Sequence, residues 1–414
     1  LQMEKKIVIL WLITVLVISL SCSTSDNIFI PTSTQTSLPP TATFTPNPPT
    51  LTSTPMLGAG DLSAGWRHTC VVTSDGGVKC WGANEWGQLG DGTKKDRSAP
   101  VDVIGLGFQA KSVTAGLYHT CALSIDGHVK CWGANSNGQL GNGTKNNSLS
   151  PVEVTGLDEK VIAGATGASH TCVITQKKGM MCWGYNDSGQ LGDGTTVDSD
   201  IPVGVVGLSE GVTAIALGNA GHTCAVTSGG GLKCWGWNAA GQVGDGTKTN
   251  RSIPVVVNGL SNVVSATAGY SHTCVLTRDG KILCWGQNEY GQLGNDTRQE
   301  SSSPVESGDI PGKVIQLGAG SMHTCALTED RRTFCWGWNQ WGQLGDGSTT
   351  ERVKPVPILS TGAVLTAISI GGMHSCGLTT DGDVLCWGGN DAGQLGDGSM
   401  SNSSFPVKVI GLVE

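Results

Sequence analysis

Residues 68–92 read HTCVVTSDGGVKCWGANEWGQLGDG, and the same pattern begins again at His119, His170, His222, His272, His323 and His374. The step between these histidines is 51 residues, give or take one. Self-similarity at such a period marks a repeat architecture, in which each unit is one supersecondary element and neighbouring units bury its apolar faces. The pattern runs from about residue 58 through the last residues of a 414-residue sequence. A chain of this length ordinarily suggests two or three domains, but one assembly of seven units accounts for most of it.

Each unit carries two cysteines with nine residues between them: Cys70 with Cys80, Cys121 with Cys131, Cys172 with Cys182, Cys224 with Cys234, Cys274 with Cys284, Cys325 with Cys335 and Cys376 with Cys386. Between most partners lies a turn signal such as Asp75-Gly76, Asp126-Gly127, Asp279-Gly280 or Asp381-Gly382, flanked by apolar runs. Each pair therefore straddles a β-hairpin at opposite positions. In an exported protein that geometry calls for a cross-strand disulfide in every repeat. A metal site is the rival, because a histidine stands two residues before each first cysteine, on the same strand face. The pattern supplies no fourth ligand, so no metal or other cofactor is expected. A group repeated seven times reads as structural, and the histidines are expected to make one recurring hydrogen bond. His128 falls in a hairpin turn outside the pattern.

The second unit illustrates the strands: about Ala110–Ala115, His119–Leu123, Val129–Trp132 and, after a long polar connection, Pro151–Val154. Successive side chains of a strand face opposite ways, so Cys131 and Trp132 point to opposite sides of the sheet. Both types recur in every unit, and both faces must be buried. Sheets stacked radially against neighbours on either side satisfy this. The fold expected is all-β, a seven-bladed β-propeller of four-stranded antiparallel blades with one disulfide-bonded hairpin per repeat. A parallel β-helix is the alternative, though its rungs are usually shorter. The Asp residues of the Gly-Asp-Gly-Thr turns read as turn chemistry, not as calcium ligands, because no carboxylate cluster accompanies them.

The run Gly-x-x-His-(Thr/Ser)-Cys-x-Leu-Thr-x-Asp-Gly, then Cys-Trp-Gly-x-Asn-x-x-Gly-Gln-Leu-Gly-Asp-Gly-Thr, then Pro-Val, resembles regulator-of-chromosome-condensation repeats over residues ~58–414. The resemblance implies a seven-bladed propeller. Its nucleotide-exchange members are nuclear and act on a small GTPase and chromatin, which does not suit an exported, acidic chain. Secreted bacterial relatives include protein inhibitors of β-lactamases that bind through loops on one face of the ring.

The N-terminal region carries a separate message. Lys5 and Lys6 precede an apolar run from Ile7 to Ile18, followed by Ser19-Leu20-Ser21-Cys22. This reads as an export signal whose apolar core is short for a membrane span. Cys22 is the odd cysteine of fifteen and the expected lipidation site, although Ser19 stands where that signal usually has Leu. Residues 1–22 are thus expected to be a lipoprotein-type signal, and 23–57, rich in Thr, Ser and Pro, a disordered linker. Residues 58–414 form the propeller. The net charge of −8 argues against nucleic acid as a partner. Contact with a membrane is expected through the lipid anchor only.

The repeats permit an internal comparison. Trp81, Trp132, Trp183, Trp235, Trp285, Trp336 and Trp387 are constant and belong to the scaffold. Apart from Trp11, every other Trp and Tyr varies between units: Trp66, Trp86, Tyr118, Tyr185, Trp237, Tyr270, Tyr290, Trp338 and Trp341. Each precedes the histidine of its unit or follows Cys-Trp-Gly, and the hairpin topology places both segments at one face of the ring. Arg67, Met322 and Met373 share these positions. Such a concentration of aromatics suits a contact surface. The expected function is a cell-surface or secreted module, acting as a monomer, that binds an extracellular protein or glycan. The alternatives are an inhibitor of an exported hydrolase or an enzyme on cell-wall polysaccharide. No nucleophile elbow, phosphate loop or paired-carboxylate motif recommends an enzyme.

Overall fold

The computed structural model describes residues 61–359 and 361–412. The signal segment 1–22 with Cys22, and the linker 23–57, lie outside the described residues. The described chain contains 28 strands and no helix, arranged as seven four-stranded antiparallel sheets whose strands follow sequence order. In the first blade these are Leu62–Ala64, His68–Val72, Val78–Gly82 and Arg97–Asp102. The inner strands, from Leu62–Ala64 through Ala110–Ala115 to Leu365–Ile370, pack each on the next, and the last packs on the first. The ring is a seven-bladed propeller.

The outer strands correct the sequence reading. In the second blade the outer strand spans Ser148–Glu153, not Pro151–Val154, so Pro151 lies inside it. It pairs with the Cys-Trp-Gly strand of its own blade, Cys131 opposite Val152 and Gly133 opposite Ser148, with a register shift between. Proline is tolerated because this is an edge strand, where a missing N–H on the outward side breaks no ladder bond. The same Pro recurs in all seven outer strands, from Pro100 to Pro406. It also blunts seven edges that could otherwise pair with other chains.

All seven cysteine pairs are disulfides, as the spacing predicts. Cys70 is bonded to Cys80, Cys121 to Cys131, Cys172 to Cys182 and Cys224 to Cys234 in the first four blades. Cys274 is bonded to Cys284, Cys325 to Cys335 and Cys376 to Cys386 in the last three. Each bridge joins directly opposed residues of its hairpin, with Cα atoms 4.0–4.1 Å apart. A loop this short contributes at most roughly 2–3 kcal/mol per bridge by chain-entropy reasoning, less where the hairpin already limits the unfolded loop. The packing role is plainer. Cys70 and Cys80 join Val72, Val78 and Leu89 of the first blade against Ala122 and Trp132 of the second. The junction that closes the ring repeats this, with Cys376 and Cys386 against Trp81. The hydrophobic core is therefore divided into seven slabs, each lying between two blades.

A polar clasp crosses every slab. The hydroxyl of Thr120 donates to the Gln88 carbonyl (2.8 Å), and Trp132 Nε1 donates to the same oxygen (2.9 Å). His68 Nε2 lies 2.9 Å from Thr120 Oγ1. The single hydroxyl proton of Thr120 is committed to the carbonyl, so His68 must be the donor and its ring the Nε2–H tautomer. The same triangle joins His119 to Thr171, His170 to Thr223, His222 to Thr273, His272 to Thr324, His323 to Ser375 and His374 to Thr69. The recurring histidine bond is thus a bond between blades. Each ring lies over a glycine of its own unit; at Gly65 a Cβ would stand 2.6 Å from His68 Cε1.

Where two blades lack the usual hairpin glycine, the backbone keeps its turn. Lys178 and Arg331 hold φ of 66°, and Asp296, in the Gly92 position, 63°. Such positive φ costs a non-glycine residue roughly 1–2 kcal/mol. Arg331→Gly should therefore raise stability by about 1 kcal/mol or less in denaturant unfolding, since glycine also loosens the unfolded chain.

Burial carries all seven clasp histidines from the ordinary 6.5 down to about 3, with neighbouring histidines adding to the effect at several positions. A folded pKa below the unfolded one means that protonation favours the unfolded chain. The stability is full above pH 6.5 and is lost as pH falls from 6.5 toward 3. Each histidine subtracts about 1.4 kcal/mol per pH unit in that window. Denaturant titrations should show unfolding coupled to uptake of several protons between pH 6 and 4, and a flat profile there would contradict the assignment.

Candidate functional site

Register decides where the variable residues stand. His68 pairs with Gly82, so the loop before the second strand and the loop after the third leave the same end of the blade. The two are joined by Ala83 N donating to Arg67 O (2.8 Å), and Trp237 N to Gly221 O and Trp338 N to Met322 O repeat the bond. Gly82, at φ 103°, allows this approach, because a Cβ there would lie 2.4 Å from Arg67 O. The hairpin turns lie at the opposite end.

Constant polar side chains hold the loops rigid from below. Gln88 Oε1 accepts from Trp86 N, Gln292 from Tyr290 N and Gln343 from Trp341 N, each at 3.0 Å. Asn84, fully buried, accepts from Leu89 N and donates to Asp91 and to the Thr93 carbonyl. Asp91 in turn accepts from the amide and hydroxyl of Thr93 and pairs with Arg97. Burial pulls the Asp91 carboxyl up, but the hydrogen bonds from Thr93 and Arg97 outweigh it and hold the pKa below the ordinary range. Its oxygens are committed to turn chemistry. The result is a fixed platform with exchangeable side chains on top.

The structure gathers most of the variable aromatics into clusters across blade boundaries. Tyr118 stands 6.0 Å from Trp66 and 6.1 Å from Trp86, between ring centres. Trp237 meets Tyr270 edge-on at 6.5 Å. Trp338 lies 6.0 Å from Tyr290 and 6.4 Å from Trp341. Tyr185 stands apart, its hydroxyl donating to Asp187 at 3.0 Å. Trp86 and Trp341 are 39% and 36% exposed, while the other rings and Arg67 are half-buried. The seventh blade carries no ring in these positions, and Trp66 leans over its Gly372, where a Cβ would meet Trp66 Cδ1 at 2.4 Å. Burial and the Glu85 charge keep the Tyr118 phenol above its ordinary pKa.

One set of residues on this face escapes sequence reasoning that follows only aromatics. The position after each buried Asn is exposed in all seven blades and holds Glu85, Ser136, Asp187, Ala239, Glu289, Gln340 and Asp391. Aligning the repeats and reading charge as well as ring content would have found it. Arg67 pairs with Asp391 across the ring-closing junction, at 2.6 Å and 3.2 Å. A cavity of about 230 Å³ lined by Arg331, Pro357, Leu359 and Leu365 opens elsewhere, toward the hairpin end between the sixth and seventh blades. Among the described residues, no group of three or more His, Cys, Asp or Glu is placed to hold a metal ion.

The fold and its loop-bearing face define a repeat propeller of the protein-interaction class. The chain belongs to the regulator of chromosome condensation (RCC1) family: the RCC1-like domain matches residues 160–414, and RCC1 repeats match 75–123 and 126–174. It is 34% identical over 359 residues to the Arabidopsis thaliana ultraviolet-B receptor UVR8, covering 83% of this chain and 80% of that protein. The mitochondrial RCC1 domain-containing protein RUG3 of the same plant is 29% identical over 81% of this chain and 70% of its own length. Among solved structures, human WBSCR16 superposes with a TM-score of 0.72 at 24% identity, over 80% of this chain and 94% of that one. Yeast RCC1 (Prp20), solved with Kap60, gives 0.73 at 20% identity, over 90% and 91%. At these identities the structural likeness concerns the fold alone.

Two classes of tryptophan should separate in one experiment. Trp132→Ala removes a fully buried ring and its bond to Gln88, and should cost about 3–5 kcal/mol in denaturant unfolding. Trp86→Ala, at a platform position, should cost less than about 1 kcal/mol.

Proposed function

We propose that this chain is an exported binding module, held at a membrane surface through Cys22, that docks an extracellular protein on its aromatic face. The observation that carries the reading is the gathering of eight variable rings into clusters on one rim, with Trp86 and Trp341 open to solvent. Large rings on a rigid platform bury much area on binding at little entropic cost, which is why Trp and Tyr dominate binding hot spots. The scaffold beneath is self-sufficient, so these rings are free to serve a partner.

Seven disulfides point to an oxidising environment. The charge and apolar pattern before Cys22 supports export, and the Thr/Ser/Pro-rich stretch supplies a spacer between anchor and propeller.

Cross-linking on intact cells tests the face. The triple variant Trp86→Ala, Trp338→Ala, Trp341→Ala should fold, keep its disulfides and lose the cross-linked partner seen with the unaltered chain. Retention of the same partner at the same yield would refute the proposal. Cys22→Ala should release the protein from the membrane fraction and abolish fatty-acid labelling.

A further inference from the structure

We infer that the partner presents a cationic surface, bearing arginine or lysine side chains, to the aromatic face; this rests on the binding face proposed above. The variable positions of the two loop sets carry four carboxylates, Glu85, Asp187, Glu289 and Asp391, and one cation, Arg67. The acidic residues fall on the first, third, fifth and seventh blades, and all four are exposed. Arg67 is matched by Asp391. Arg298 reaches the Glu289 carbonyl, but its charge is matched by Glu351. Within the two loop sets Glu85, Asp187 and Glu289 are the carboxylates without an ion pair, and the adjoining connection adds the exposed Lys94 and Lys95, whose neighbours Thr93 and Asp96 bond Asn84.

These carboxylates stand beside rings. Glu85 accepts from Trp86 Nε1 (2.9 Å), Asp187 from the Tyr185 hydroxyl, and Glu289 adjoins Tyr290 in the chain. Each has further lone pairs directed to solvent. An aromatic face with an adjacent carboxylate suits a guanidinium or ammonium, which stacks on the ring and pairs with the acid. The rings pack on one another and form no cage for a single small cation, and the acids are spread over three separate blades. The match is therefore to several cations on an extended protein surface. A second copy of the chain is a poor occupant, because two such faces oppose like charges.

The test uses the full chain and three synthetic peptides of equal length: an arginine–glycine repeat, its glutamate counterpart and a neutral serine–glycine repeat. The arginine peptide should bind, weaken with added salt, and outcompete the other two. Glu85→Gln with Glu289→Gln, which leaves every ring in place, should weaken it about tenfold. Asp126→Asn with Asp158→Asn removes two exposed charges at the opposite rim and should leave binding unchanged. Equal loss in both double variants, or no preference for the arginine peptide, would overturn the inference. The same variants applied to the cross-linked partner separate the two proposals. A partner lost with the tryptophans but indifferent to Glu85 and Glu289 refutes the cationic match and leaves the face standing. A partner indifferent to the tryptophans refutes the face itself.

Discussion

Everything else in this molecule depends on the carbonyl of one repeated glutamine. In each blade it receives two hydrogen bonds from the next, one from a threonine or serine hydroxyl and one from a buried indole. The histidine behind the hydroxyl completes the triangle by donating to the hydroxyl oxygen. A carbonyl and a hydroxyl buried between sheets would each cost free energy if left unpaired. Satisfied in this way, they fix how far apart two blades stand and at what angle. The ring closes by the same triangle, with Thr69 and Trp81 meeting Gln394, and among the described residues no strand is exchanged between the first and last blades.

That economy has a consequence for function. A blade that meets both neighbours through constant residues leaves its loop tips without structural duty. The glutamine serves twice, since its carbonyl joins the blades while its side-chain oxygen pins the backbone at the variable position two residues earlier. Aromatic side chains placed there, and acidic ones at the position before it, change the surface without disturbing the core. Binding energy in such a design comes from preorganised rings, whose positions are set before any partner arrives.

Much of this is legible in the sequence because its physics is local or periodic. The Cys–Cys spacing around an Asp-Gly turn is a hairpin with one register, and a strand with Cys facing one way and Trp the other needs neighbours on both sides. The outer strand falls three residues away from its expected start because Pro151 reads as a strand beginning; only the sheet shows that its N–H side is an open edge. The role of the histidines as a hydrogen bond is legible, but not its partner, since Thr120 lies about one full repeat from His68. On the functional face, grouping by loop is readable from topology, whereas stacking across blade boundaries and the Arg67–Asp391 pair require coordinates. The acids after each buried Asn escape notice because Glu, Asp and neutral residues alternate there, and no single repeat announces them.

A propeller closed by this clasp requires its histidines to be neutral donors between blades, and nuclear magnetic resonance of the imidazole nitrogens measures that directly. Seven of the eight histidines should show the Nε2–H tautomer at neutral pH and keep it, without titrating, for as long as the protein stays folded on acidification, consistent with folded-state pKa values of about 3. Rings carrying the proton on Nδ1, or titrating near 6.5 in the folded protein, would contradict the clasp and with it the description of what holds the propeller closed.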